Sequence, residues 1–187
     1  MGRVKSRMSI INDELDILRE KAEKNRYSFI DPVDKERWCA LRAEQDEIER
    51  VKKEIAYNEA RNNLEFQDIY AKAYNAGMKA GQEAIPTPMV VQTHANMLDD
   101  NSPVVQSEYI SEGACGFAWV NVKPGYSKFA KWLKAMGYGD NDSYYKGVTV
   151  WVSEFGQSIA RKEAFAHAFA AVLKEFGIQA YGASRLD

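Results

Sequence analysis

Hydrophobic positions follow three rhythms along the chain. Ile11, Leu15, Leu18 and Ala22 recur at helical spacing. Asn12 suits an N-cap, and Asp13, Glu14 and Asp16 suit the positive end of a helix dipole. A short amphipathic helix is therefore predicted over about 12–25, broken by NRYSF at 25–29. Asp31-Pro32 is a helix start, because Asp accepts from first-turn N–H groups and Pro is tolerated at the first helical position. Beyond it Trp38, Leu41, Ile48, Val51 and Ile55 form a narrow seam in an otherwise charged stretch. Such a seam fits a coiled coil between copies, or a helical hairpin in which helix 12–25 or 65–82 covers helix 32–60. Both readings stay open. Asn62-Asn63 kinks or ends this helix. A second stripe follows, Phe66, Ile69, Tyr70, Ala73, Gly77 and Ala80, whose small later residues permit close approach. Gly81 and Pro86 end the helical region.

The second rhythm is an absence of one. Residues 85–113 hold three of the five prolines and the turn formers Asp99-Asp100-Asn101-Ser102. They read as a connector, with Met89-Val90-Val91 and Val104-Val105 available to dock on a sheet edge or groove.

The third rhythm is strict alternation. CGFAWVNVKP reads as a strand stopped by Pro124-Gly125. Ser127 caps a helix carrying Phe129, Trp132, Leu133 and Met136, closed by Gly137. YGDNDSYYKG reads as a polar loop and GVTVWVS as a second strand. A helix over 158–176 follows, striped by Phe165, Phe169, Val172, Leu173 and Phe176, and then IQAYGASR as a third strand. Ala118, Val120, Val122, Val148, Val150, Val152, Ile178 and Ala180 share one aliphatic face, which must lie under the helices. The other face mixes Phe117, Trp119, Trp151 and Tyr181 with Asn121, Lys123, Thr149, Ser153, Gln179 and Arg185.

The predicted fold is α+β. A helical, coiled-coil-like region at 1–84 and a connector at 85–113 lead into a small βαβαβ domain at 114–187, with both helices on one face of a three-stranded sheet. A sheet face of aromatic and polar side chains needs a partner. Protein contact fits it, and so do stacked bases with Lys and Arg on phosphates. Packing against the N-terminal helices, the connector or a second domain would also cover it.

Charge changes this picture modestly. Residues 1–64 balance at 14 basic and 14 acidic side chains; residues 65–112 carry 2 basic and 7 acidic, and 113–187 carry 9 basic and 6 acidic. A domain at +3 permits an anionic partner without demanding one, so protein contact is favoured over nucleic acid. The two cysteines, Cys39 and Cys115, lie far apart, which excludes a disulfide framework and a thiolate metal cluster. No apolar run approaches membrane-spanning length, and the basic N-terminus lacks a signal-peptide core, although Gly2 and Ser6 match the short myristoylation pattern formally.

Chemical signatures are few. Phosphate-loop, dinucleotide and nucleophile-elbow motifs are absent. Cys115 would need a base, and only His94 and His167 exist. His94 has no second ligand at metal spacing, and His167 falls on the helix side away from the apolar stripe. The acidic pair Asp140 and Asp142 lacks the ligands of a calcium loop. No metal, cofactor or catalytic residue is therefore expected.

The strings GACGFAWVNVKPG, YYKGVTVWVSEFGQSIARKEAFAHAF and GIQAYGASRLD resemble small proteins encoded by tailed double-stranded DNA bacteriophages. The resemblance covers about residues 86–187 and brings no catalytic residues with it. It implies a phage gene product acting in the virion or the host cytoplasm. The expected function is a non-enzymatic binding or assembly protein, oligomeric through its helices, that contacts a phage or host protein through the aromatic face. A single-stranded nucleic-acid binder and a Cys-dependent enzyme are the alternatives.

Overall fold

The structure, a computed structural model, describes residues 6–24, 31–99 and 101–187. The predicted break at 25–29, the pattern at Gly2 and the turn residue Asp100 lie outside these. Two compact units divide at Glu59/Ala60, inside the second helix.

The first unit is a helical hairpin. Helix α1 spans Arg7–Lys24 and α2 spans Pro32–Arg61. Asp31 caps α2 as expected, its Oδ1 accepting from Val33 N at 2.8 Å. The start of α1 differs: Ser6 Oγ accepts from Ser9 N, so Asn12 lies inside the helix, where its Oδ1 accepts from Gln45. Ile11, Leu15, Leu18 and Leu41 are buried together, with Trp38 and Ile48 packed on them. Arg7–Glu44, Arg37–Glu14 and Lys21–Asp34 run antiparallel along the flanks and set the register more than the stability. Within this unit the first part of the seam thus closes on α1, while Val51 and Ile55 stay exposed.

In the second unit, α3 (Leu64–Glu83) is capped by Asn63. The predicted connector instead forms a two-stranded antiparallel arm, β1 (Met89–His94) paired with β2 (Val104–Ile110) from Met89↔Ile110 to His94↔Val104. Its β-branched and aromatic residues outweigh the prolines, which fall outside both strands. The main sheet is built from β3 (Gly116–Lys123), β4 (Asp140–Asp142), β5 (Gly147–Trp151) and β6 (Gln179–Leu186) in the order β4-β5-β3-β6, every neighbouring pair antiparallel. Helix α4 (Lys128–Ala135) follows β3, and α5 (Ile159–Glu175) joins β5 to β6.

The three-stranded βαβαβ expectation is corrected here. The segment read as a loop contributes β4, and this extra pass reverses the direction in which β5 enters. β5 and β6 are parallel to each other, but β3 lies between them, a split β-α-β arrangement. The aliphatic face behaves as predicted: Ala118, Val120, Val122, Val148 and Val150 share one core with Phe129, Trp132 and Leu133 of α4 and Phe165, Phe169 and Leu173 of α5. Helix α3 lies on the far side of these helices. Its Phe66 meets Phe129 edge-on at 5.3 Å, and Tyr70 stacks on Tyr138 at 4.3 Å. Gly77 admits a ring and Gly81 both a ring and a backbone: a Cβ would sit 2.8 Å from Phe165 at the first, and 2.4 Å from Phe155 and 3.0 Å from Arg161 O at the second.

Candidate functional site

The helices leave the opposite face of the sheet open. Register places its side chains in rows: Phe117 beside Arg185; Trp151, Trp119 and Ala183 across three strands; Thr149, Asn121 and Tyr181; and Lys123 beside Gln179. All ten residues predicted for partner contact lie at this face or, for Ser153, just past the end of β5. They do not form one surface. Trp119, Asn121 and Thr149 are buried at 4%, 0% and 4% exposure, which corrects the expectation that they touch a partner.

A tight turn causes this burial. Asp142 Oδ1 accepts from Tyr144 N and Tyr145 N, and Lys146 takes φ 55°. The turn brings Tyr145 to 5.8 Å from the Trp119 ring, while Trp151 flanks Trp119 at 5.2 Å. Below them Asn121 Nδ2 donates to Thr149 Oγ1 at 3.1 Å, and that hydroxyl donates to Asp142 Oδ2 at 2.8 Å. The Tyr145 amide, then the Thr149 hydroxyl, hold the Asp142 carboxyl below its ordinary range, because each bond favours the charged form. Trp119 Nε1 and Asn121 Oδ1 are enclosed without a hydrogen-bond partner among the described residues, so this centre is polar but incompletely satisfied.

The accessible surface surrounds that centre. Trp151 is 55% exposed; Ser153, Gln179 and Arg185 are exposed, and Tyr181, Lys123 and Phe117 are half-buried. Lys123 Nζ lies 5.1 Å over the Tyr181 ring and the Arg185 guanidinium 5.4 Å over Phe117. Lys162 of α5 approaches the same Phe117 ring at 5.8 Å, with its Nζ 3.4 Å from Gly116 O. Sequence reading missed Tyr145 and Lys162, and weighed Asp142 only as a cation ligand. The paired tyrosines after an Asp were the available signal for the turn; the role of Lys162 needs the tertiary fold.

Chemistry around Cys115 does not assemble. The thiol is exposed beside a groove of about 530 Å³ that Arg161, Glu112 and Phe155 also line. Cys115 pairs with Ser158 just before α5, and His167 lies nine residues further, roughly 13 Å of helix rise. His167 points to solvent beside Glu163, and His94 Nδ1 sits 2.7 Å from Ser102 O in the arm. Neither imidazole reaches the thiol to act as its base.

Among the described residues no three His, Cys, Asp or Glu side chains are grouped to hold a metal ion, and no helix is long and apolar enough to cross a membrane. Comparison of the chain with models of protein families, with curated proteins and with solved structures finds no match to any of them.

Proposed function

We propose that this is a phage-encoded, non-enzymatic binding and assembly protein that engages a protein partner through the open face of its sheet, in the virion or in the host cytoplasm. The observation that carries the reading is the exposed rim of that face. Trp151 stands exposed on β5, and Lys123 and Arg185 lie over the Tyr181 and Phe117 rings. Aromatic and Arg side chains around a desolvated centre have the composition of protein-interface anchors. Stacked single-stranded nucleic acid is the second reading, favoured by the same rings. Against it stand Asp140 and Asp142 on the same face and a net charge of −2 for the chain.

The test is a phage carrying Trp151→Ala and Arg185→Ala. The reading expects the variant protein to fold like the wild type and to be lost from the particle or complex that takes up the wild type. Unaltered incorporation would defeat it. Salt-sensitive retention of labelled single-stranded DNA by the wild type, lost in the variant, would favour nucleic acid instead.

A further inference from the structure

The β1–β2 arm is a ribbon with no layer on either side. Only Met89, His94 and Ile110 among its strand residues are even half-buried; Val90, Val91, Val104, Val105 and Tyr109 are exposed, and Met97 and Leu98 at its tip are 86% and 96% exposed. Two strands alone are marginal in water, so such a ribbon gains its stability by packing on something else. Its own sheet is closed to it by the way its root is held. Ser158 Oγ donates to Glu112 O at 2.9 Å, and Arg161 Nε donates to Glu112 Oε2 at 2.7 Å. Arg161 also donates to Gly81 O and Gln82 O, tying the end of α3 to the same point. Four residues beyond Glu112 the chain enters β3. So short and fully bonded a root leaves no slack for the arm to fold back over β3.

Charge selects what the arm meets. From Ala80 to Val122 the chain has no Lys or Arg, while the segment carries Glu83, Asp99, Asp100, Glu108 and Glu112. Two arms side by side would repel. The β3–β6 side of the open sheet face offers Tyr181 and Phe117 for the apolar side chains, with Lys123 and Arg185 for the acidic ones, and Trp151 beyond them; the exposed Asp140 lies at the opposite, β4 edge. Among the described residues neither cation forms an ion pair within 4.0 Å, although the Lys123 charge acts on the Asp142 carboxyl. The acidic Asp142 on that face is already engaged by Thr149 and two backbone N–H groups. Dimensions agree, since six strand residues extend about 20 Å and the outer strands of a four-stranded sheet lie about 14 Å apart.

We infer that the arm of one copy docks across the open sheet face of a second copy, giving a head-to-tail, heterologous association. This rests on the reading of that face as a protein-binding surface and names its occupant. Contacts of this kind propagate into rings or filaments rather than stopping at a symmetric dimer.

The experiment places a benzophenone on the arm through Val105→Cys, in the full chain with Cys39→Ser and Cys115→Ser. Labelled chains are mixed with ¹⁵N chains, photolysed at tens of micromolar, and mapped by mass spectrometry. The inference expects crosslinks between copies, from position 105 to peptides containing Trp151, Gln179 or Tyr181. It expects their yield to fall at least about tenfold when the acceptor copy carries Trp151→Glu and Lys123→Glu, as loss of a hot-spot pair implies. Crosslinks to the second copy's arm or to residues 1–59, crosslinks only within one chain, or an undiminished yield with the altered acceptor would each overturn it. Those results would leave the face free for another protein, whereas normal phage incorporation of the Trp151→Ala, Arg185→Ala variant would remove the underlying reading as well.

Discussion

The two faces of one sheet are built from the same strands, residue by residue in alternation, yet they answer to different constraints. On the helix side Val120, Val122 and Val148 are wholly buried under Phe129, Leu133 and Phe169, with the buried Lys162 as a charged side chain on the same face of α5. On the other side Trp119, Asn121 and Thr149 are equally enclosed, but by rings and a turn, and two polar atoms go unpartnered by the protein. Around them Trp151, Arg185 and Gln179 face solvent. The difference teaches that burial alone does not mark a core. The helix side excludes water by interdigitation, whereas the open side is a small capped centre inside an exposed rim.

Deletion of side-chain volume should separate the two faces most strongly. Phe169→Ala, in the helix-side core, is expected to cost about 3–5 kcal/mol of unfolding free energy. Trp151→Ala is expected to cost about 1 kcal/mol, the scale of its ring contact with Trp119. Urea titration measures both, and equal losses would erase the distinction between the faces. Overpacking probes the helix side from outside. Gly81→Leu drives a side chain into the Phe155 ring and toward Arg161 O, so it is expected to destabilise by about 1–3 kcal/mol despite removing a helical glycine; a gain would show that α3 is loosely seated.

Titration gives a smaller and directional contrast. Burial pushes the Tyr70 hydroxyl, on the helix side, up to about 12. Its neutral form is favoured in the folded state, so this stability is fully present below the unfolded value near 10 and is lost as pH rises from about 10 to about 12. Thermal melts across that window should show a loss that Tyr70→Phe reduces. On the open side the sign is opposite. The Asp142 carboxyl is held low, so its contribution is present above about 4 and disappears as pH falls through the folded value. Trp119 fluorescence should report loosening of the Tyr145 cover on acidification, and Asp142→Asn should remove that transition. The smallest effect is expected for Trp119→Phe. It deletes a donor with no protein acceptor and should stay within about 1 kcal/mol of wild type, whereas a larger loss would mean that the indole N–H is satisfied.

Local signals were enough to read most elements. Asp31, Asn63 and Ser127 start helices at or next to the expected positions because their side chains accept from first-turn N–H groups. Alternation in β3 and β5 correctly divided aliphatic from aromatic positions, since side-chain direction in a strand is fixed by parity alone. What failed depended on turns and pairings that local composition does not announce. Asp140–Asp142 has no strand propensity, and it pairs with Gly147–Thr149 because the Asp142 turn delivers it there. The arm was hidden by prolines that proved to flank its strands. Trp119 and Asn121 could not be recognised as buried, because Tyr145 closes over Trp119 only after that turn has formed.

The central claim is that the rim of the open face binds the arm of a second copy. Light scattering of the full chain across a hundredfold range of concentration, with and without Trp151→Ala and Arg185→Ala, tests it most directly. The account predicts that the wild-type mass grows with concentration and that the variant, with an unfolding midpoint close to wild type, does not grow. Identical mass profiles for the two proteins would contradict it.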